Sequence, residues 1–202
     1  NRIPCYNPLT NETLVKMANE ITNVTSDILP GQIIDCIAYG CTSGTIAAGY
    51  QSIKKKVNSV KPEAKVITPI TSAVKALNKM NIKNISIFTP YTKEINISVS
   101  KYFMDQGFNV NELHYLDIAS DIDIGKVDSN HLFEILSNLD LKKSDALFIS
   151  CTALPVLDLI EQLEKKLKKV VLSSNQTLIW EALKLVDNNK TVKGYGKIFE
   201  VN

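Results

Sequence analysis

Ile33-Ile34-Asp35-Cys36-Ile37-Ala38-Tyr39-Gly40-Cys41-Thr42-Ser43-Gly44-Thr45 and Ala146-Leu147-Phe148-Ile149-Ser150-Cys151-Thr152-Ala153-Leu154-Pro155 follow one pattern. Each is a short apolar run, then Cys-Thr, then a stretch of helical character. A run of that length bounded by turn residues reads as a buried strand. The chain therefore passes twice from strand through cysteine to a helix N-terminus. Such a terminus presents unpaired N–H groups and the positive end of a dipole, which lowers a thiol's pKa and welcomes a carboxylate. Two thiols in equivalent places predict a pair facing one substrate from opposite sides.

Outward from these stretches, helix and strand alternate almost without interruption. Leu14, Met17, Ala18, Ile21 and Val24 recur at helical spacing and predict a helix over about Thr10–Ile28, with Thr10 as N-cap and Pro30-Gly31 as its stop. A strand is expected at Ile33–Ala38 and a helix at Ser43–Val57. Strand Ala64–Thr68, helix Thr71–Met80, strand Asn84–Phe88, helix Thr92–Gln106 and strand Phe108–Tyr115 come next. A loop at Ser120–Gly125 leads to helix Asp128–Leu139, strand Ala146–Ser150 and helix Leu154–Leu167. Strand Val170–Leu172 and helix Thr177–Leu185 complete the pattern. Short apolar strands alternating with helices imply an α/β fold with mostly parallel sheets covered on both faces. In such sheets ligands sit beyond the carboxyl ends of the strands. Cys41, the Thr89–Thr92 turn, Cys151 and the Ser173–Gln176 turn all fall at that rim.

Composition narrows the function classes. A net charge of +2 offers no electrostatic case for nucleic acid. The lysine clusters at 54–56 and 165–169 fall late in predicted helices, where cations complement the dipole. Four cysteines without short paired spacings make neither a disulfide scaffold nor a zinc ribbon. His114 and His131 are too isolated for a histidine-based metal site. No apolar run reaches the roughly 18 residues of a membrane span, so no membrane association is expected and the cytoplasm is the default. No Gly-x-Gly-x-x-Gly, Walker or Gly-x-Ser-x-Gly motif is present, and no nucleotide cofactor is expected.

At each site residue a structural role stands beside the functional one. Cys36, within a strand, and Cys5, in the extended N-terminal arm, read as structural thiols. Cys41 and Cys151 differ in lying at strand ends beside hydroxyl residues. Tyr91 follows Thr89-Pro90 at a turn tip; it is either a hydrogen-bond or proton donor to a substrate oxygen, or a ring packed over the helix start. Thr42, Ser43, Thr152 and Asn175 serve equally as N-caps or as donors to a carboxylate.

Four ordered blocks carry a family resemblance: Tyr39-Gly40-Cys41-Thr42-Ser43-Gly44-Thr45, Phe88-Thr89-Pro90-Tyr91-Thr92, Ser150-Cys151-Thr152-Ala153-Leu154-Pro155 and Ser173-Ser174-Asn175-Gln176. They resemble the signature segments of the aspartate/glutamate racemase superfamily, and more narrowly the branch of maleate cis–trans isomerase, arylmalonate decarboxylase and the ectoine-utilisation proteins. Arg2-Ile3-Pro4, Asn7-Pro8-Leu9-Thr10, Leu29-Pro30-Gly31 and Gly194-Tyr195-Gly196 look closest to the ectoine-utilisation group. The resemblance implies two pseudo-symmetric, Rossmann-like lobes: residues 1–70 completed by 174–202, and residues 71–173. The active site would lie in the cleft between them, with no metal or organic cofactor, in a homodimer or homotetramer acting on a small carboxylate. Cys41 and Cys151 would be the catalytic thiols, with Tyr91 beside them; Thr42, Ser43, Thr152, Thr89 and Asn175 would bind substrate. The family opens with a strand and a Pro-Ser-Asn-type loop, which are expected to precede Asn1.

Three chemistries use this scaffold. A decarboxylase of this type resembles the family with a small residue at the first cysteine position, which Cys41 argues against. A racemase or epimerase needs two thiols, one to take the α-proton and one to return a proton on the opposite face. A cis–trans isomerase adds a thiolate to the double bond, lets the new single bond rotate, and eliminates. Cys-Thr-Ser-Gly and Cys-Thr-Ala-Leu-Pro look like the isomerase branch, and no acidic residue beside either cysteine is dedicated to an ammonium group. The leading expectation is a cysteine-based isomerase of a small dicarboxylate. An amino-acid or hydroxy-acid racemase and an unassigned ectoine-branch enzyme follow, and a non-catalytic acid-binding protein comes last. An enzyme of this kind is expected to hold at least one thiol below the free value of about 8.5.

Overall fold

In the computed structural model, which describes residues 1–187 and 192–201, the apolar runs pair as parallel strands in two sheets. The smaller joins β1 (Cys36–Ala38) to β2 (Lys65–Ile67), with Ile37 opposite Val66. The larger contains β3 (Asn84–Thr89), β4 (Asn109–Tyr115), β5 (Ala146–Ile149) and β6 (Val170–Ser173) in the order β4-β3-β5-β6. Ile87 aligns with Phe148, and Ile149 with Ser173. Every residue of β5 is buried, as expected of a central parallel strand covered on both faces. Under it Phe103 meets Phe148 edge-on, with ring centres 5.0 Å apart.

The helices begin where their caps dictate. α1 (Asn11–Ala18) starts at Thr10, whose hydroxyl accepts the Thr13 N–H while the Thr13 hydroxyl accepts the Thr10 N–H. It is followed by a separate α2 (Ile21–Ser26), where periodicity predicted one helix. Tight closing bonds from Asn19 N to Lys16 O and Glu20 N to Met17 O end α1 first. The second predicted helix is also two, α3 (Thr42–Ala48) and α4 (Tyr50–Asn58). Gly49 between them has φ +80°, a conformation outside helical geometry. Residues 33–35 do not join β1, and Ile33 is 85% exposed, because β2 offers only three partners.

α5 (Pro69–Lys79), α6 (Lys93–Asp105), α8 (Ser129–Ser137) and α10 (Ser174–Leu185) lie near their predicted positions, whereas α9 (Ile160–Leu167) begins six residues after the expected Leu154. The expected loop at 120–125 holds a one-turn α7 (Asp121–Ile124), capped by Ser120. α10 starts three residues early because Ser173 and Gln176 form a capping box. α10 packs against α5, β1 and β2 as well as β6, and so joins the two sheets. Residues 188–191 and 202, which the expected lobe boundaries include, lie outside the described residues. Among the described residues no helix is long and apolar enough to cross a membrane.

Candidate active site

Cys41 leaves β1 in extended backbone and caps α3 with its own sulfur, which accepts the Gly44 N–H at 3.3 Å. The Ser43 hydroxyl lies 3.9 Å from the same sulfur. The N–H groups of Thr42 and Ser43, in the first turn of α3, are left by helix geometry without an intrahelical acceptor. Cys41 is partly buried and lines a cavity of about 260 Å³ with Tyr39, Ile37, Met17, Ile21 and Arg2. Burial pushes its thiol up to about 12, and the charge of a Cys151 thiolate would push the same way; the Gly44 N–H and Ser43 oppose this.

Cys151 follows β5 at φ +88°, a conformation that L-residues with side chains rarely adopt. The expected helix does not begin beside it. Pro155 denies Leu154 helical backbone, and the chain enters a 3₁₀ turn only at Leu157–Leu159 before α9. The N–H groups of Ala153 and Leu154 nevertheless point at the Cys151 sulfur. The thiol is 7% exposed, and burial pushes it up to about 11 against the pull of the Tyr91 hydroxyl and those two N–H groups.

These values correct the expectation of a depressed thiol. Both cysteines sit at sites rich in N–H donors, yet the loss of solvation outweighs the donors. At neutral pH each is a neutral S–H. Tyr91, 2% exposed, is held well above the ordinary phenol range by burial and then by the two sulfurs. It remains a proton-bearing donor.

Thr89 supports Tyr91. Its hydroxyl donates to Asn96 Oδ1 and accepts the Tyr91 N–H at 3.2 Å, while Asn96 Nδ2 donates to Tyr91 O at 2.9 Å. The Thr89 side chain is fully buried, with its hydroxyl committed to this turn. Thr42, Thr152 and Asn175 form bonds across the rim. Thr42 Oγ1 and Ser174 Oγ are 2.8 Å apart, and Ser174 Oγ accepts the Cys151 N–H at 3.1 Å. Thr152 Oγ1 donates to Gly40 O at 2.8 Å, and Asn175 Nδ2 donates to Thr152 O at 2.9 Å. The loops carrying Cys41 and Cys151 are thus bonded directly to each other and to the start of α10.

The rim brings together Cys41, Cys151, Tyr91, Thr42, Ser43, Thr152 and Asn175, with Thr89 behind Tyr91. Sequence reasoning passed over Ser174 and Asn96. Ser174 sits between two better helix-cap candidates, and Asn96 lies inside a predicted helix, so neither carries a local signal. The arrangement can bind an anion through N–H groups that lack an intrahelical acceptor and can deliver or remove a proton from two thiols and one phenol. Among the described residues no group of three or more His, Cys, Asp or Glu side chains is placed to hold a metal ion.

A family model described as arylmalonate decarboxylase matches residues 12–199. Over 198 residues the chain is 25% identical to maleate isomerase of Geobacillus stearothermophilus, covering 94% of this chain and 78% of that one. Maleate isomerase Iso from Pseudomonas putida S16, a cysteine-to-alanine variant crystallised with maleate, superposes with a TM-score of 0.91 at 20% identity, over 100% of this chain and 83% of its own. A cysteine-to-serine mutant of Nocardia farcinica maleate cis–trans isomerase, holding a covalently bound succinylcysteine intermediate, superposes with a TM-score of 0.89 at 20% identity, over 100% and 85%. The α/β fold with parallel sheets is common to all three chains.

Proposed function

The chain belongs to the arylmalonate decarboxylase family, in the aspartate/glutamate racemase superfamily branch that includes the maleate isomerases, and from that premise we propose that it is a cysteine-based cis–trans isomerase of a small dicarboxylate such as maleate. The observation that carries this reading is the pair of thiols on loops bonded to one another, with a proton-bearing phenol beside one of them. Curated maleate isomerases among its relatives support it. The lobes are proposed as residues 1–70 completed by 174–202, and residues 71–173, each supplying one thiol; the packing of α10 on β1 and β2 supports the division. A homodimer or homotetramer in the cytoplasm goes with this reading from the family resemblance.

Cys41, the more exposed thiol and the cap of α3, is assigned the addition. Its proton passes to solvent through the cavity that Cys41 lines, to be regained after elimination, and the sulfur bonds to one alkene carbon. The π electrons pass toward the neighbouring carboxylate, whose growing charge the N–H groups of Thr42 and Ser43 and the Tyr91 hydroxyl receive. Cys151 gives a proton to the second carbon and later takes it back. In between, the former double bond is single and rotates; elimination then expels the Cys41 sulfur and leaves the trans acid.

Proton NMR of maleate incubated with the protein tests this. Fumarate is expected with the wild type and with Cys36→Ala, and none with Cys41→Ala or Cys151→Ala. Mass spectrometry of Cys151→Ser should find a dicarboxylate adduct on Cys41. Inertness toward maleate together with exchange of the aspartate α-proton in D₂O would replace the isomerase with a racemase. A Cys41→Ala variant that still releases CO₂ from a malonate would make it a one-thiol decarboxylase.

A further inference from the structure

Tyr39 lies two residues before Cys41, joined to it by a tight turn in which the Cys41 N–H donates to Tyr39 O at 2.9 Å. Its ring is buried, at 7% exposure, yet its hydroxyl makes no regular hydrogen bond among the described residues, and the acceptor that acts on it is the Cys41 sulfur. Leaving a buried hydroxyl unsatisfied is costly, and a phenylalanine would fill the same space without that cost. The bare backbone of Gly44 shows what the hydroxyl faces. A Cβ built on Gly44 would lie 2.8 Å from the Cys41 sulfur, 2.8 Å from the Tyr39 oxygen and 3.0 Å from Met17 Cε. Sulfur and phenol therefore close on the same point, in a space that exists because residue 44 has no side chain. Both also line the 260 Å³ cavity that reaches Cys41.

We propose that Tyr39 is a further catalytic-site residue, whose phenol donates a hydrogen bond to the Cys41 sulfur when that sulfur becomes a thiolate. The proposal rests on the isomerase reading for its place in turnover, but not for the bond itself. Burial and the neighbouring Cys41 sulfur hold the Tyr39 phenol well above its ordinary value, so it keeps its proton and remains a donor. The resting thiol needs no such donor. The thiolate does, and a hydrogen bond to a charged acceptor is stronger than one to a neutral acceptor. Each thiol then has its own phenol, Tyr39 at Cys41 and Tyr91 at Cys151.

Alkylation by iodoacetamide, read cysteine by cysteine with peptide mass spectrometry across pH 7–10, tests the bond without any substrate. The ionisable groups around the pair are Cys151 and Tyr91 from the larger sheet, and Cys5 and Arg2 from the N-terminal segment. None of these is altered by Tyr39→Phe. Tyr39→Phe should lower the rate of Cys41 modification about tenfold at a given pH and leave Cys151 within about twofold. Gly44→Ala, which forces sulfur and phenol apart, should reproduce the loss at Cys41. If Cys41 is modified as fast in a folded Tyr39→Phe protein as in the wild type, the phenol is only packing and the proposal falls. Wild-type protein inert toward maleate, with the Cys41 effect intact, would overturn the isomerase reading and leave the thiolate donor standing.

Discussion

Cys151 meets two opposing demands, since three hydrogen-bond donors aim at its sulfur while burial removes the water a thiolate needs. Burial wins, and the consequence is measurable as pH-dependent stability. Below the thiol's ordinary value of 9.0 the sulfur is protonated in the folded and unfolded chain alike, so it adds no pH dependence. Above it the unfolded chain releases a proton that the folded chain retains up to about 11. Stability is thus fully present below pH 9 and is lost as pH rises toward 11, at about 1.4 kcal/mol per pH unit for one thiol. In urea unfolding between pH 9 and 11, the wild type should lose about 2–3 kcal/mol more than Cys151→Ala. Equal losses would mean that the sulfur ionises freely in the native protein. Cys41, pushed up to about 12, should extend the decline further.

At the scale of elements, the two cysteine loops are less alike than their sequences. Cys41 sits in extended backbone and acts as the N-cap of α3, whereas Cys151 sits at φ +88° with Pro155 delaying the next helix. A side chain held in that region costs on the order of 1–2 kcal/mol, which only glycine escapes. Cys151→Gly should therefore be about 1 kcal/mol more stable than Cys151→Ala toward urea, although both lack the thiol and both should be inactive. An alanine variant as stable as the glycine variant would show that the turn is unstrained. In this conformation the sulfur meets Tyr91 and the Ala153 and Leu154 N–H groups.

The molecule as a whole depends on Ser174 to keep its thiols in register. This fully buried side chain bonds Thr42 in one cysteine loop and the backbone of Cys151 in the other, from the first turn of a helix that packs on both sheets. Ser174→Ala would orphan a buried N–H and a buried hydroxyl, at about 1–3 kcal/mol of stability. Small displacements of reacting groups are costly in rate. Turnover should fall by about tenfold or more in kcat with little change in KM, and amide exchange should quicken at 41–45 and 151–154 but not in β3 or β5. Unchanged exchange together with kcat within about twofold would show that the loops hold their positions without the serine.

Strand-to-helix alternation, the parallel character of the sheets and the rim that collects Cys41, Tyr91 and Cys151 were legible in the order of residues, because burial on both faces leaves continuous apolar runs and caps are local. The family was legible for the same reason, its signature segments being those rim turns. Helix breaks at Asn19–Glu20 and at Gly49 were not, since periodicity passes through a break that preserves the apolar face. Thr89 reads the same as Thr42 in one dimension; only packing commits its hydroxyl to Asn96. Ser174 joining two loops that are distant in the chain, Tyr39 meeting Cys41 over Gly44, and the raised thiols all follow from side chains approaching across the fold. Desolvation and long-range hydrogen bonds depend on what surrounds a group in space, and neighbours in the chain do not specify it.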